Sequence, residues 1–247
     1  IHYTIYRLYL IIYMENPIRQ VQNKVLKIFA RKSSSFALAG GTALELYYLH
    51  HRFSVDLDFF STRYNNQEIN KIILELKKDF KGIKLESELQ ILGKAKVRFY
   101  SIPIKANRQL KVDFVEDVIS NRPKISNFGG IPVYSVEDLY IHKIVAITGM
   151  RQDEDQVGRK IMRGRKQARD VFDIYMLSKK IKPLHIFMKK IPASLQRGMV
   201  HWYRSFSRQD LKLSLLDLDI YDKKFNAREM VIYLEKEIKT FISEVLE

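Results

Sequence analysis

Residues Leu38–Phe60 read LAGGTALELYYLHHRFSVDLDFF, and the far end of this stretch decides the fold. Val55, Leu57, Phe59 and Phe60 are apolar, yet Asp56 and Asp58 stand among them. Side chains alternate across a strand. Asp56 and Asp58 therefore project to one side, about 6.5–7 Å apart along the chain, while Leu57 and Phe59 project into a core. Burying an unpaired carboxylate costs several kcal/mol, so something must compensate. Either one aspartate pairs with a Lys or Arg and the other is solvated at an edge, or the two hold divalent cations, which in two-metal sites lie about 3.5–4 Å apart.

The residues just upstream bear on that choice. FALAGG (36–41) has the character of a short buried strand ending in a glycine turn, and TALELYYLHH (42–51) that of a helix with Thr42 as its N-cap. Backbone amides at a glycine turn and at a helix N-terminus are natural phosphate ligands. Gly40 and Gly41 carry no Cβ to keep a phosphate away, although an ordinary tight turn would use the same pair. The order strand, Gly-Gly-Thr, one short helix, then D-x-D brings phosphate ligands and metal ligands to neighbouring strand ends.

Gly-Gly-Thr followed by D-x-D resembles the nucleotidyltransferase superfamily that includes DNA polymerase beta and the CCA-adding enzymes. Within it, G-G-T-A-L, H-R-x-S and D-L-D-F-F together resemble the AbiEii/AbiGii toxin family of abortive-infection and type IV toxin–antitoxin systems. The resemblance is strong over residues 36–60 and weaker to about residue 177. It implies a polymerase-beta-like catalytic domain and a third carboxylate on an adjacent strand. KVDFVED supplies Asp113, flanked by Val112 and Phe114 in the same way as Asp56 and Asp58, whereas Glu116 and Asp117 resemble the exit of that strand. Asp56, Asp58 and Asp113 would then be the metal ligands, with Mg²⁺ or Mn²⁺ as the cofactor. Gly40, Gly41 and Thr42 would cradle the phosphates of an NTP donor.

Lys143, in LYIHKIVAI, is a lone cation beside Ile144 and Val145. It either offsets triphosphate charge as a point cation or snorkels to the surface. RGRKQARDVFDIYML places Arg169, Asp170 and Asp173 at a helix start, with Asp170 and Asp173 on one face. Toxin relatives carry a similar Lys followed by R-D-x-x-D, which implies that Lys143 and Asp170 belong to the active site. Asp170 would orient Lys143 or deprotonate the acceptor hydroxyl, and Asp173 would instead be structural, bonded to a nearby helix. Arg52 either contacts a phosphate or pairs with Asp56 or Asp58. His50 and His51 are weak candidates for metal ligands. The resemblance further implies a toxin that adds nucleotides to an RNA, the tRNA 3′ end being the candidate acceptor, under the control of a cognate antitoxin. A protein or small-molecule acceptor, or a catalytically silent binding module of the same fold, is the competing expectation.

Composition fits a polyanionic partner. The 247 residues include 43 Lys+Arg against 28 Asp+Glu, a net charge of +15, and such a surplus favours nucleic acid, nucleotides or an anionic surface. Seven of the cations fall in Arg151–Arg169, either a contact for polynucleotide phosphates or a solvated basic loop. With no cysteine, disulfides, thiolate catalysis and Cys-based zinc sites are excluded. The six histidines show no helical ligand pair, so any metal here is held by oxygen.

The remaining segments assign an α/β (α+β) fold. Helices are expected over QVQNKVLKIFARK and NQEINKIILELKKDF, and strands over IKLESELQIL, KVRFYSIPI and QLKVDFVED, the first two joined by a turn around Gly93. A mixed sheet with helices mainly on one side follows. Residues 1–134 would form the catalytic domain. Residues 135–247, from a Ser135 cap onward, would form a helical domain contributing Lys143 and Asp170, with Trp202, Tyr203 and Phe206 in its core. Residues 1–13 are either upstream of a start at Met14 or a short apolar packing element. No run reaches transmembrane length, so the chain is expected to be cytoplasmic.

Overall fold

A computed structural model describes residues 16–90, 94–104, 108–149, 152–154, 160–162, 164–165 and 167–246. Residues 1–13, Gly93 and four of the seven cations of the basic run (Arg151, Arg159, Arg163 and Lys166) lie outside these. The chain divides into two compact units, residues 1–43 with 54–135, and 44–53 with 136–247.

The first unit is built on a seven-stranded sheet. Its strands are β1 (Ala37–Ala39), β2 (Leu57–Ser61), β3 (Lys84–Leu89), β4 (Val97–Ile104), β5 (Arg108–Glu116), β6 (Ile125–Phe128) and β7 (Ile131–Tyr134), in the order β3-β4-β5-β2-β1-β7-β6. β2 runs antiparallel to β1 and parallel to β5, and β1 runs parallel to β7. This is the mixed sheet that the alternation of strand and helix patterns predicts, and β3 and β4 pair as expected. A further hairpin, β6–β7, closes through Gly129 and Gly130 at φ +59° and +89°. Two successive positive-φ residues suit the twist of a two-residue turn, and glycine adopts them without strain.

Two helices cover the apolar face. Helix α1 (Pro17–Lys32) starts at Asn16, whose side chain accepts from Ile18 N at 2.9 Å, with Pro17 at its first position. Helix α3 (Asn66–Asp79) is capped by Asn65. Phe29 of α1 stacks on Phe59 of β2 at 3.8 Å, and Phe36 meets Phe114 edge-on at 5.3 Å. Ile69, Ile72 and Leu76 of α3 are fully buried. Burial of Leu57 and Phe59 on this side leaves Asp58 on the other, while Asp56, expected in the same strand, lies just ahead of it.

The segment after β1 differs from expectation. The helix begins at Gly40, two residues before Thr42: α2 (Gly40–Ala43) leads into a wider π-helical stretch, Leu44–Leu49. Thr42 is therefore inside the helix and not its N-cap. Its hydroxyl donates to the Asp56 carbonyl instead, so it is committed to the chain leading into β2. Residues 44–53 then group with the second unit, where Tyr221 N donates to the His51 carbonyl at 3.1 Å and Phe53 N to the Asp219 carbonyl at 2.9 Å.

The second unit is otherwise helical: α4 (Val136–Thr148), α5 (Ala168–Lys180), α6 (Leu184–Met188), α7 (Ala193–Ser205), α8 (Arg208–Leu215) and α9 (Ala227–Leu246). Helix α4 is apolar nearly all round and central, burying Leu139, Tyr140, Ile144 and Ile147. Tyr140 stacks on Phe187 of α6 at 4.0 Å. The expectation of helix alone past residue 135 is corrected by β8 (Gln152–Glu154) and β9 (Lys160–Met162), which pair antiparallel. Among the described residues, no helix is long and apolar enough to cross a membrane.

Candidate active site

Sheet register brings the acidic positions together. In the parallel pairing of β2 with β5, Asp58 stands directly opposite Asp113, and residues in register on neighbouring strands project to the same side of a sheet. Asp56 lies two residues before Asp58 and is half-buried like it, whereas Asp113 is 5% exposed. Asp113 Oδ2 accepts from Lys111 Nζ at 2.9 Å, and Asp113 Oδ1 is buried without a hydrogen-bond partner. Burial first, then the Asp58 carboxylate, push the Asp113 carboxyl up to about 7 against the pull of Lys111. Like charges gathered in a half-dry site are what a bound cation relieves.

The donor chemistry fits a hard divalent ion: carboxylate oxygens only, one of them buried with nothing to bond. Among the described residues, no group of three or more His, Asp or Glu side chains is arranged to hold an ion where it stands. Binding at Asp58 and Asp113 with Asp56 would therefore draw these side chains inward.

Gly40 abuts the Asp58 carboxylate. Its φ is +70°, and a Cβ there would stand 2.1 Å from Asp58 Oδ2 and 2.9 Å from Asp58 Cγ. No L side chain fits, so glycine is required both by the backbone and by the aspartate against it. Gly41 follows in the first turn of α2, whose leading amides have no intrahelical acceptors.

Lys143, Asp170, Arg52 and His51 meet in the second unit around Asp173. Arg52 donates through Nε and Nη2 to the two Asp173 oxygens at 2.7 and 2.8 Å. His51 Nε2 lies 2.7 Å from Asp173 Oδ1, and Lys143 Nζ lies 2.8 Å from Asp173 Oδ2 and 2.7 Å from Asp170 Oδ1. All five side chains are buried. Burial opposes charge on Asp173, but Arg52 and Lys143 outweigh it and hold the carboxyl well below its ordinary value. The same two aspartates raise Lys143 against its desolvation, and burial lowers His51. Asp170 keeps one buried oxygen without a hydrogen bond, with Arg165 Nε 3.8 Å away.

Of the alternatives for Lys143, the snorkelling surface lysine is excluded by its burial. Arg52 takes Asp173 as its partner, and His51 is a ligand of Asp173. The hub role of Asp173 had no sequence signal, since it joins residues 121 apart; the Lys111 contact was missed although strand alternation puts Lys111 and Asp113 on one face of β5. Glu116 accepts from Lys96 N, and Asp117 accepts from Ile119 N, Ser120 N and the Tyr134 hydroxyl, as expected of the strand exit. Tyr203 is buried as expected, but Trp202 and Phe206 are only half-buried.

Comparison with known proteins settles the class. The sequence profile of the AbiEii nucleotidyltransferase toxins of type IV toxin–antitoxin systems matches residues 25–240. This chain belongs to that family. No curated protein matches it. Solved structures share the fold: a Helicobacter pylori protein described as a candidate nucleotidyltransferase is 20% identical at a TM-score of 0.55, covering 93% of this chain and 96% of that one. JHP933 from H. pylori is 19% identical at 0.53, covering 92% of each chain. MenT4, a nucleotidyltransferase toxin from Mycobacterium tuberculosis, is 13% identical at 0.50, covering 92% of this chain and 84% of that one. The AbiEii-family chain is accordingly a nucleotidyltransferase, with the mixed-sheet fold of that group.

Proposed function

We propose that this AbiEii-family protein transfers a nucleoside monophosphate from an NTP to a hydroxyl of RNA, with the tRNA 3′ end as acceptor and Mg²⁺ or Mn²⁺ as cofactor, and that a cognate antitoxin restrains it. The observation that carries the catalytic part is the Asp58–Asp113 register across β2 and β5, with Gly40 packed against the Asp58 carboxylate. Asp56, Asp58 and Asp113 are the cation ligands in this reading. When bound, the cation supplies Lewis-acid charge that lowers the pKa of the acceptor hydroxyl and neutralises the donor phosphates. The amides at Gly40–Thr42 bind phosphate oxygens without side-chain obstruction. Thr42, through its bond to the Asp56 carbonyl, holds the phosphate turn against the start of the acidic strand. Lys143 is the cation this reading assigns to offset phosphate charge, with Asp170 as the carboxylate that holds it. Arg52 contributes by fixing Asp173, since its guanidinium is already engaged in both directions. The charge of +15 supports a polyanionic acceptor, and the family supports the toxin role and its antitoxin.

Incorporation of label from each NTP into total tRNA, with Mg²⁺ and with EDTA, tests the reading. Transfer is expected with Mg²⁺ alone, and Asp56→Ala or Asp58→Ala is expected to abolish both transfer and growth inhibition. A folded preparation that labels no RNA from any NTP, or variants that remain toxic, would overturn it.

A further inference from the structure

Helices α4, α5, α7 and α8 of the second unit enclose a cavity of about 480 Å³. Protein interiors leave few voids larger than a water, and at ~30 Å³ per water this space holds many. It falls within the ~300–1,000 Å³ range of small-molecule sites, and no residue assigned to catalysis above lines it. Its floor is apolar and small: Ala168, Val171, Leu211 and Gly198 are buried there. A Cβ on Gly198 would stand 2.9 Å from Thr148 Cβ, so the floor has no room for a larger residue at that position.

One wall is aromatic. The Trp202 and Phe206 rings stack with centroids 4.5 Å apart and planes 5° off parallel, and both line the cavity half-buried. The Arg208 guanidinium lies over the same group, 5.3 Å from the Phe206 centroid and 5.2 Å from that of Tyr203. Exposed Gln167, His201 and Asp210 stand at the mouth, offering both hydrogen-bond donors and acceptors. A flat π surface, polar groups at its edge and a nearby guanidinium suit a planar heterocycle that carries a phosphate better than an aliphatic ligand. We propose that this cavity is a nucleobase-binding site, in which the base packs against the Trp202–Phe206 wall and Arg208 meets its phosphate.

The base can come from a free nucleotide or from an unpaired position of an RNA strand, and Trp202 distinguishes the two directly because it is the chain's only tryptophan. The full chain is titrated in EDTA, which prevents turnover, with each NTP in one arm and with a mixed-sequence single-stranded RNA in the other. Trp202 emission is followed in both arms, and anisotropy of fluorescein-labelled RNA in the second. Saturable quenching by RNA alone assigns a strand base, and quenching by NTP assigns a free nucleotide. Phe206→Leu and Arg208→Ala keep the reporter, and each is expected to raise the half-quenching concentration about tenfold. A thermal melt of each variant checks that it is folded. Unchanged emission of the unmodified protein with both ligands overturns the proposal whatever the variants do. So does a quench that neither folded variant shifts. Because EDTA removes catalysis from the measurement, failure here leaves the transferase reading intact, and failure of labelled transfer leaves this one intact.

Discussion

Asp113→Asn should stabilise the protein while destroying its metal response. The Asp113 carboxyl is moved from an ordinary 3.8 to about 7 by burial and by Asp58. A shift of about 3 units corresponds to roughly 4 kcal/mol of unfavourable ionisation at pH 8. Lys111 beside it is 49% exposed, so solvent screens this group, and halving the figure leaves about 2 kcal/mol. The asparagine carboxamide keeps the shape without the charge. For a chain of this size the gain is a melting temperature higher by roughly 4–8 °C. Its pH dependence follows from the direction of the shift. An aspartate with a raised folded pKa binds its proton more tightly in the native state, so wild-type stability falls as pH rises from about 4 to about 7 and is level above. The variant lacks that fall, and the gap between the two should shrink below about 1 kcal/mol at pH 4. Melts in EDTA at pH 4, 6 and 8, repeated with Mg²⁺ at pH 8, give the comparison. Mg²⁺ should raise the wild-type midpoint and leave that of the variant unmoved. A variant less stable than wild type at pH 8 would mean that the carboxylate is held by favourable bonds and not crowded by like charge, and would overturn this expectation.

Gly40→Ala combines left-handed strain of about 1–2 kcal/mol with a Cβ driven into the Asp58 carboxylate. Transfer should fall by about 100-fold, the scale of an ångström-level misplacement at a reacting centre, with a melting shift of only a few degrees; initial rates and a thermal melt measure the two. Asp173→Asn leaves buried Arg52 and Lys143 short of a counter-charge and should cost roughly 3–5 kcal/mol. Asp170→Asn, which leaves the Arg52 pair whole, should cost less. Denaturant midpoints of the two variants rank them, and the reverse order would displace Asp173 as the hub.

What could be read in the chain alone was whatever repeats with a local period. Alternation marked Asp58 on one face of β2, with Asp56 just ahead of the strand, and the 3.6-residue period located α1 and α3 but not their asparagine caps. The Gly40 requirement was visible only as a glycine pair; the reason for it, a carboxylate pressed against the Cα, is a contact across strands. Thr42 resembled an N-cap because the preference for Ser and Thr at caps is local, while the competing acceptor, the Asp56 carbonyl, becomes available only once β2 pairs with β1. Trp202 and Phe206 sit at the i, i+4 spacing of a core stripe, and nothing in that spacing says that the space beside them stays open. Asp173 was legible as a helix-start acid but not as the acceptor for Arg52, because the two are brought together by tertiary packing and not by any shared element.

The excursion of residues 44–53 into the second unit also sets an order in time. Arg52 leaves the ribosome before its carboxylate exists: Asp173 lies 121 residues later, which is roughly 6–24 s of synthesis at about 5–20 residues per second. For that interval a guanidinium destined for burial has no counter-ion, and the second unit cannot close around it. Nor can either unit be expressed as one continuous fragment, since a chain beginning at Val136 would carry Asp173 and Lys143 but neither Arg52 nor His51. Folding of the second unit is therefore tied to the full length of the nascent chain, and its ten early residues wait for the rest.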